Sequence, residues 1–319
     1  MNFEFHTIKA FTQKGLKIIG NPASITHVEE FPSDDTMGRA AKILASPMTT
    51  FIKQTEKKNV FEIRHFSPDG DECHVCGHAT MAATQYLIET GLVSRQDNSV
   101  IFKMNPKFAV STNHEIVAEI NDDNISLTLP AVTELEPISD PEFYKILSIA
   151  LRVPEDEFEK PAYFAPRVRD IVVAFKNQET MLALEPDFEK LKKMALQGKF
   201  IHEGMMTTAK SSIAGFDIAN RVFLPGIDVN EDVACGSANC SIIPYWVLKS
   251  GLFDDAKRDF NVIYPYPPAG EDYIGGIQKL RLRVDEKEII LTGQALSEKK
   301  TSVQVPPKSP EKTGCSRQP

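Results

Sequence analysis

The chain opens MNFEFHTIKAF, in which apolar and polar positions alternate as along a half-buried strand. SDDTMGRAAKILAS then offers an acidic N-cap followed by helical spacing. FIKQTEKKNVFEIRHFSP is two β-rich runs about a polar turn and predicts a hairpin. SVIFKM, FAVSTN, HEIVAEI and ISLTLP predict short strands separated by Asn, Asp and Pro. LPAVTELEPISDP, at 129–141, reads as a linker. Beyond it PEFYKILSIALRV and PDFEKLKKMALQG are helical, while Asp170 to Phe175 and KFIHEGMMTTA are strand-like. IQKLRLRVDEKEIILTGQAL predicts a closing hairpin. Residues 298–319 are rich in Lys, Pro and Ser with little to bury, which predicts a disordered tail carrying Cys315.

The strongest long-range pattern is an internal repeat. Arg64-His65-Phe66-Ser67-Pro68 and Arg221-Val222-Phe223-Leu224-Pro225 both read R-x-F-x-P. Glu72 and Glu231 follow, each four residues before a cysteine, and then Cys76-Gly77-His78-Ala79 and Cys235-Gly236-Ser237-Ala238, both C-G-x-A. A tyrosine stands ten residues beyond each cysteine, Tyr86 and Tyr245, and apolar helical segments end near Gly91 and Gly251. Two similar halves related by a pseudo-twofold axis are expected, spanning 1–132 and 133–297.

Composition narrows the function. A net charge of −8 argues against nucleic acid as a partner. No apolar run reaches the ~18–20 residues of a membrane span, so no membrane partner is expected. Charges lie where a signal peptide would need an apolar stretch, so the expected location is cytoplasmic. Five cysteines, an odd number, suit reduced thiols better than a disulfide framework.

In each half a strand ending in F-x-P leads through a loop to Cys-Gly and an apolar helix. That places each cysteine at or just before a first helical turn, where unpaired N–H groups and the positive dipole end stabilise a thiolate. The same groups cradle a carboxylate. A pseudo-twofold axis would bring the two helix mouths together, with one thiol on each side of a ligand. That is the geometry for inverting a stereocentre with two acid/base groups. Competing readings are packed, inert thiols, a C-x-x-C redox pair, and a zinc site built on Cys73-x-x-Cys76 with His74, His78, Cys235 or Cys240. Against zinc, Cys235-x4-Cys240 is poor ligand spacing and an apolar helix begins at once after each Cys-Gly.

Asn21-Pro22-Ala23, FEIRHFSP, CGHATMAA, RVFLPG and EDVACGSANCSIIPYW together resemble the phenazine-biosynthesis-like (PhzF-type) proteins, over roughly residues 3–296. The resemblance implies an α+β, diaminopimelate-epimerase-like fold: two pseudo-symmetric domains, each a central helix wrapped by mostly antiparallel strands. It also implies substrate contacts from Asn21, from the N–H groups of Gly77, His78, Gly236 and Ser237, and from Asp217. An alternative role for His78 is as a structural partner of the opposing loop. Two departures stand out. Met48 occupies the place of the acid/base glutamate of PhzF-type isomerases, and Cys235 stands where those proteins read V-T-G-S-A. The second is similar to the A-C-G-T-G of diaminopimelate epimerase.

The combined expectation is a cofactor-independent amino-acid racemase or epimerase with Cys76 and Cys235 as paired thiols. Its substrate would be a small free amino or imino acid, and the resemblance allows a homodimer. No Gly-rich nucleotide loop appears, so no nicotinamide, flavin or ATP is expected, and two thiols would make pyridoxal phosphate unnecessary. The alternatives are a PhzF-type isomerase of another small acid and a non-catalytic protein of this fold. Cys73 and Cys240 read as accessory.

Overall fold

The computed structural model describes residues 1–307 except 74–75, 109–113, 228, 255, 267–273 and 286. Most of the expected strand FAVSTN, His74 and Cys315 therefore lie outside the described residues. The first half runs β1 (Asn2–Thr12), β2 (Asn21–His27), α1 (Asp34–Leu44), β3 (Thr49–Gln54), β4 (Val60–Phe66), α2 (Gly77–Glu89), β5 (Ser99–Met104), β6 (Glu115–Asn121) and β7 (Asn124–Pro130). The second runs β8 (Glu136–Ile138), α3 (Pro141–Leu151), β9 (Phe158–Ala165), β10 (Asp170–Phe175), α4 (Gln178–Leu182), α5 (Phe188–Gln197), β11 (Gly204–Lys210) and β12 (Ile218–Leu224). It closes with β13 (Val229–Asp232), α6 (Asn239–Leu248), β14 (Asp259–Pro265), β15 (Ile274–Arg283) and β16 (Glu288–Gln304). The linker segment thus carries the short strand β8, and the strand expected over KFIHEGMMTTA begins only at Gly204.

Strands β1 to β7 follow one another in order and β16 joins β7 to β1, closing a ring. From β16 the sheet continues β15-β14-β12-β11-β10-β9-β8, with β13 paired to β12. Pairing is antiparallel except at β2–β3, β4–β5, β10–β11 and β12–β14.

Helix α2 threads the first ring and touches β1, β2, β3, β6, β7 and β16. All its residues from Gly77 to Leu87 are buried. A helix buried on every face belongs to a core, and its many small residues, Gly77, Ala79, Thr80, Ala82, Ala83 and Thr84, help strands close around it. Its counterpart α6 is buried from Asn239 to Trp246 and packs on β10 and β15. Pro244 lies inside α6 and supplies no N–H to the carbonyl of Cys240, four residues back. That carbonyl accepts instead from the N–H of Val132, at 2.8 Å, which ties the inter-half segment to the second helix. Outer layers complete the halves. Helix α1, capped by Ser33, buries Met37, Ala40 and Ala41 against Phe5, Phe51 and Phe66, while α3 and α5 cover the outer face of the second half. Among the described residues no helix is long and apolar enough to cross a membrane.

The C-terminal segment corrects the expected boundary at 297/298. Strand β16 runs through it to Gln304, pairing with β1 from Gln294↔Thr12 to Gln304↔Asn2, and Val305 N–H still bonds to the carbonyl of Met1. Val303 and Val305 are the apolar exceptions in a Lys- and Ser-rich stretch, and both are buried under α1 with Phe5 and Phe51. Two anchoring valines and an unpaired edge of β1 suffice to order a stretch whose composition reads as tail. Burying a charge at this position is strongly unfavourable, so Val303→Asp should cost about 3 kcal/mol or more in urea unfolding. An unchanged midpoint would mean that the stretch contributes nothing to the fold.

Candidate active site

Cys76 caps α2 in extended backbone (φ −124°, ψ 104°), as the sequence predicts. Its carbonyl accepts from the N–H of Thr80 at 3.0 Å and from Thr80 Oγ1 at 2.8 Å. Behind Thr80, its Oγ1 lies 3.4 Å from His65 Nε2, and His65 Nδ1 lies 3.0 Å from Thr50 Oγ1. Because Thr80 donates to Cys76, its hydroxyl accepts from His65 Nε2–H, and Thr50 then donates to Nδ1. A buried relay therefore ends on the Cys76 backbone. The thiol has a different neighbour, with Sγ 3.2 Å from His78 Nδ1.

Cys235 is placed differently. Helix α6 starts at Asn239 with Ala238 as its cap, so Cys235 stands further from its helix than expected. The gap is bridged by a tight turn, in which Asn239 N–H bonds to Gly236 O at 3.3 Å and Cys240 N–H to Ser237 O at 2.9 Å. The Cys235 carbonyl accepts from Tyr264 OH at 2.6 Å and from Asn239 Nδ2 at 3.3 Å. Asn239 and Thr80 occupy the same place in the repeat, four residues after the cysteine. Ser237 Oγ lies 3.5 Å from the thiol.

The two mouths meet at their glycines. A Cβ on Gly236 would lie 3.4 Å from Gly77 Cα, 3.0 Å from Leu291 Cδ2 and 2.9 Å from Phe11 Cζ. A Cβ on Gly77 would lie 3.5 Å from Gly236 Cα and 3.3 Å from Leu291 Cδ2. Phe11 sits at a bulge in β1 with a left-handed φ of 61°, a conformation a bulky side chain rarely adopts, and its ring closes the floor under Gly236.

Asn21 crosses between the halves, donating from Nδ2 to Asp232 Oδ1 at 2.6 Å and to Ala234 O at 2.9 Å. Asp232 Oδ1 also accepts from Ala234 N–H at 3.0 Å, and its carboxylate lies near enough to the Cys235 thiol for each to shift the other's proton affinity. Asp232 was not among the residues expected from the sequence. The repeat contains a signal for it: it follows Glu231 as Cys73 follows Glu72. His65 and Tyr264 carry no such signal, because their role depends on strand register.

Asp217, expected to touch substrate, lies elsewhere. It precedes β12, while Asp232 pairs with Val222 near the strand's other end, about 17 Å along the strand. Its Oδ2 accepts from Asn261 N–H at 2.7 Å and its Oδ1 pairs with Lys257 at 3.0 Å. The motif FDIANRVF marks a strand start here, and the aspartate ties β12 to β14. Met48 is half-buried against the core cluster that contains both cysteines. It brings no proton-transfer group there.

Burial governs the electrostatics. It pushes the Cys76 thiol well above its ordinary value, and the N–H groups of Ala79 and His78 pull back only part of that. Cys235 is raised by burial and by the charge of Asp232, with Ser237 and the Ala238 N–H opposing. The lowered thiol pKa expected from helix mouths is therefore not found in the closed site: desolvation outweighs the dipole. Burial also lowers His78 to about 4 and His65 to about 3, leaving both neutral, and raises Asp232 to about 6. Each thiol thus adjoins a titratable group, Cys76 neutral His78 and Cys235 the carboxyl of Asp232. Cys240 is raised to about 12 by burial and faces Asp170 rather than the site.

Among the described residues no three His, Cys, Asp or Glu side chains cluster closely enough to hold a metal ion. A cleft of about 520 Å³ between Phe31, Arg64, Lys103 and Glu115 contains neither cysteine.

The chain's relatives agree with this architecture. A family model described as phenazine biosynthesis-like protein (PhzC-PhzF) matches residues 8–295. An uncharacterized isomerase of Vibrio cholerae is 29% identical over 238 residues, 74% of this chain and 73% of that one. A phenazine biosynthesis protein of the PhzF family from Enterococcus faecalis superposes with a TM-score of 0.74 at 24% identity, over 95% of this chain and all of its own. A hydroxyproline epimerase from Agrobacterium vitis, solved with trans-4-hydroxy-L-proline bound, superposes with a TM-score of 0.56 at 13% identity, over 96% and 94% of the two chains. The fold is thus the diaminopimelate-epimerase-like α+β fold expected from the sequence, and the chain belongs to the phenazine biosynthesis-like, PhzC-PhzF, family, with isomerases among its relatives.

Proposed function

We propose that this isomerase-family protein is a cofactor-independent amino-acid racemase or epimerase, inverting Cα with Cys76 and Cys235. The observation that carries the reading is the meeting of the two Cys-Gly turns, Gly77 against Gly236, each with a thiol beside a titratable group. The substrate is a free α-amino or imino acid, its carboxylate held by N–H groups of Gly77, His78, Gly236 and Ser237. When the halves part and water relieves the burial, the helix-mouth N–H groups lower the thiol pKa, and one cysteine passes its proton to its neighbour and removes the Cα proton. The opposite thiol delivers its own proton to the other face. The N–H groups stabilise the carboxylate as negative charge builds on it. The hydroxyproline epimerase of the same fold acts on a substrate of this class, which supports an imino acid as the first to try. Such chemistry needs reduced thiols, which a cytoplasmic setting supplies. Cys76 and Cys235 are buried, 8% and 5% exposed as residues, so entry requires the two halves to part.

A second reading, proton transfer within another small acid, is favoured by Asp232 and His78, which exchange protons without help from sulfur. The cysteines separate the two. In D2O with L-proline, hydroxyproline and the common L-amino acids, the racemase should lose optical activity in one substrate as deuterium enters Cα. Cys76→Ser and Cys235→Ser should each lower that rate by about a hundred- to ten-thousand-fold. Near-full activity in either variant would contradict the two-thiol mechanism, and no exchange with any substrate would contradict racemisation itself.

Asp232 makes a separate pH prediction. Only its ionised form accepts the Cys235 proton, and its carboxyl is held up near 6, so kcat/KM should rise with pH through about 6. Asp232→Asn should lower activity at pH 7.5 and remove that acidic limb. An unchanged limb in the variant would assign it to another group.

A further inference from the structure

The repeat contains residues that the proposed chemistry does not use: an arginine, a phenylalanine and a glutamate in each half. Arg64 on β4 donates from Nε to Glu72 Oε1 at 2.9 Å and from Nη2 to Oε2, and its guanidinium lies 5.4 Å from the Phe66 ring. Arg221 on β12 donates from Nε to Glu231 Oε1 at 2.8 Å and from Nη2 to Oε2 at 2.9 Å, 5.2 Å from the Phe223 ring. All four charged side chains are nearly buried. In both halves the fork joins a strand to the segment that returns toward the cysteine. The backbone registers agree: Phe66 bridges Glu72, and Val222 pairs with Asp232.

We propose that Arg64–Phe66–Glu72 and Arg221–Phe223–Glu231 are one positioning brace used twice, each setting where the cysteine four residues beyond its glutamate sits. Apolar residues of similar volume would stabilise such a place as well as a buried ion pair does. A guanidinium–carboxylate fork fixes distance and orientation together. Further partners hold each fork. Asn105 Nδ2 donates to both Glu72 oxygens at 3.2 and 3.3 Å, and Arg221 Nη1 donates to the carbonyls of Met181, Leu182 and Leu184 at 2.9–3.2 Å. The first brace also reaches Asp34, an exposed carboxylate at 2.9 Å, whereas the second is sealed. This role rests on the reading of Cys76 and Cys235 as the working thiols.

The test reads each thiol directly, so it does not depend on turnover. The full chain is treated with iodoacetamide, and alkylation at Cys76 and Cys235 is followed by peptide mass spectrometry. Glu72→Gln should raise the Cys76 rate at least tenfold with Cys235 changed less than twofold, and Glu231→Gln should do the reverse. Arg64→Lys and Arg221→Lys keep the charge but lose the fork, and they give the same readout where a glutamine variant does not fold. Exchanging the partners, Arg64→Glu with Glu72→Arg, should bring Cys76 back toward the native rate. Equal rises at both cysteines would make the pairs general stabilisers, and no rise at either would leave the thiols set by other contacts. Both results overturn the proposal.

Discussion

Everything at the site depends on the contact between two backbones at Gly77 and Gly236. A side chain at Gly236 would press on Leu291 and Phe11, and one at Gly77 more mildly on Leu291, so the absence of a Cβ, at Gly236 above all, lets the two helix mouths pack closely. Leu291 belongs to β16, the strand that joins the two halves. Phe11 adopts its unfavourable left-handed backbone at the same point. A bulky residue held in that region costs of order 1–3 kcal/mol and persists where its surroundings over-determine it. One of the chain's left-handed non-glycine residues thus lies where the two Cys-Gly turns come together.

That closeness sets the chemistry. A cysteine at a solvated helix start is acidified by N–H groups and the dipole. Here the same N–H groups act on thiols already stripped of water, and burial prevails. In the proposed mechanism such a thiol needs a specific neighbour to take its proton, and the two halves place different groups beside theirs. His78 and Asp232 are unlike in charge and titrate in different ranges, so the pseudo-symmetric fold carries an asymmetric site. The backbone supports are similarly unlike: Thr80 backed by His65 holds one cysteine carbonyl, and Asn239 with Tyr264 holds the other.

Most of the architecture was legible because the repeat carries it. R-x-F-x-P, Glu and C-G-x-A mark the strand, the brace and the helix mouth in each half, and apolar helical spacing after each Cys-Gly marks the two core helices. What depends on pairing was not. The segment from 298 reads as tail by composition, since two valines among lysines and serines carry little pattern, yet β1 orders it. Asp217 and Asp232 are both aspartates near strands in the sequence. Only the register of β12 shows that one faces Lys257 and the other Cys235. His65 reads as an alternating strand position, and its relay to Cys76 exists only once β4 lies beside α2.

The central claim is that two separate groups serve the two faces of one carbon. The most direct measurement is the fate of label at low conversion in D2O, with both substrate enantiomers resolved by mass. If one thiol removes the proton and the other supplies a new one, the first product formed carries deuterium at Cα while unreacted substrate still carries protium. Deuterium in recovered substrate to the same extent as in product would mean that a single group returns the proton to either face, and the paired-thiol mechanism would be wrong.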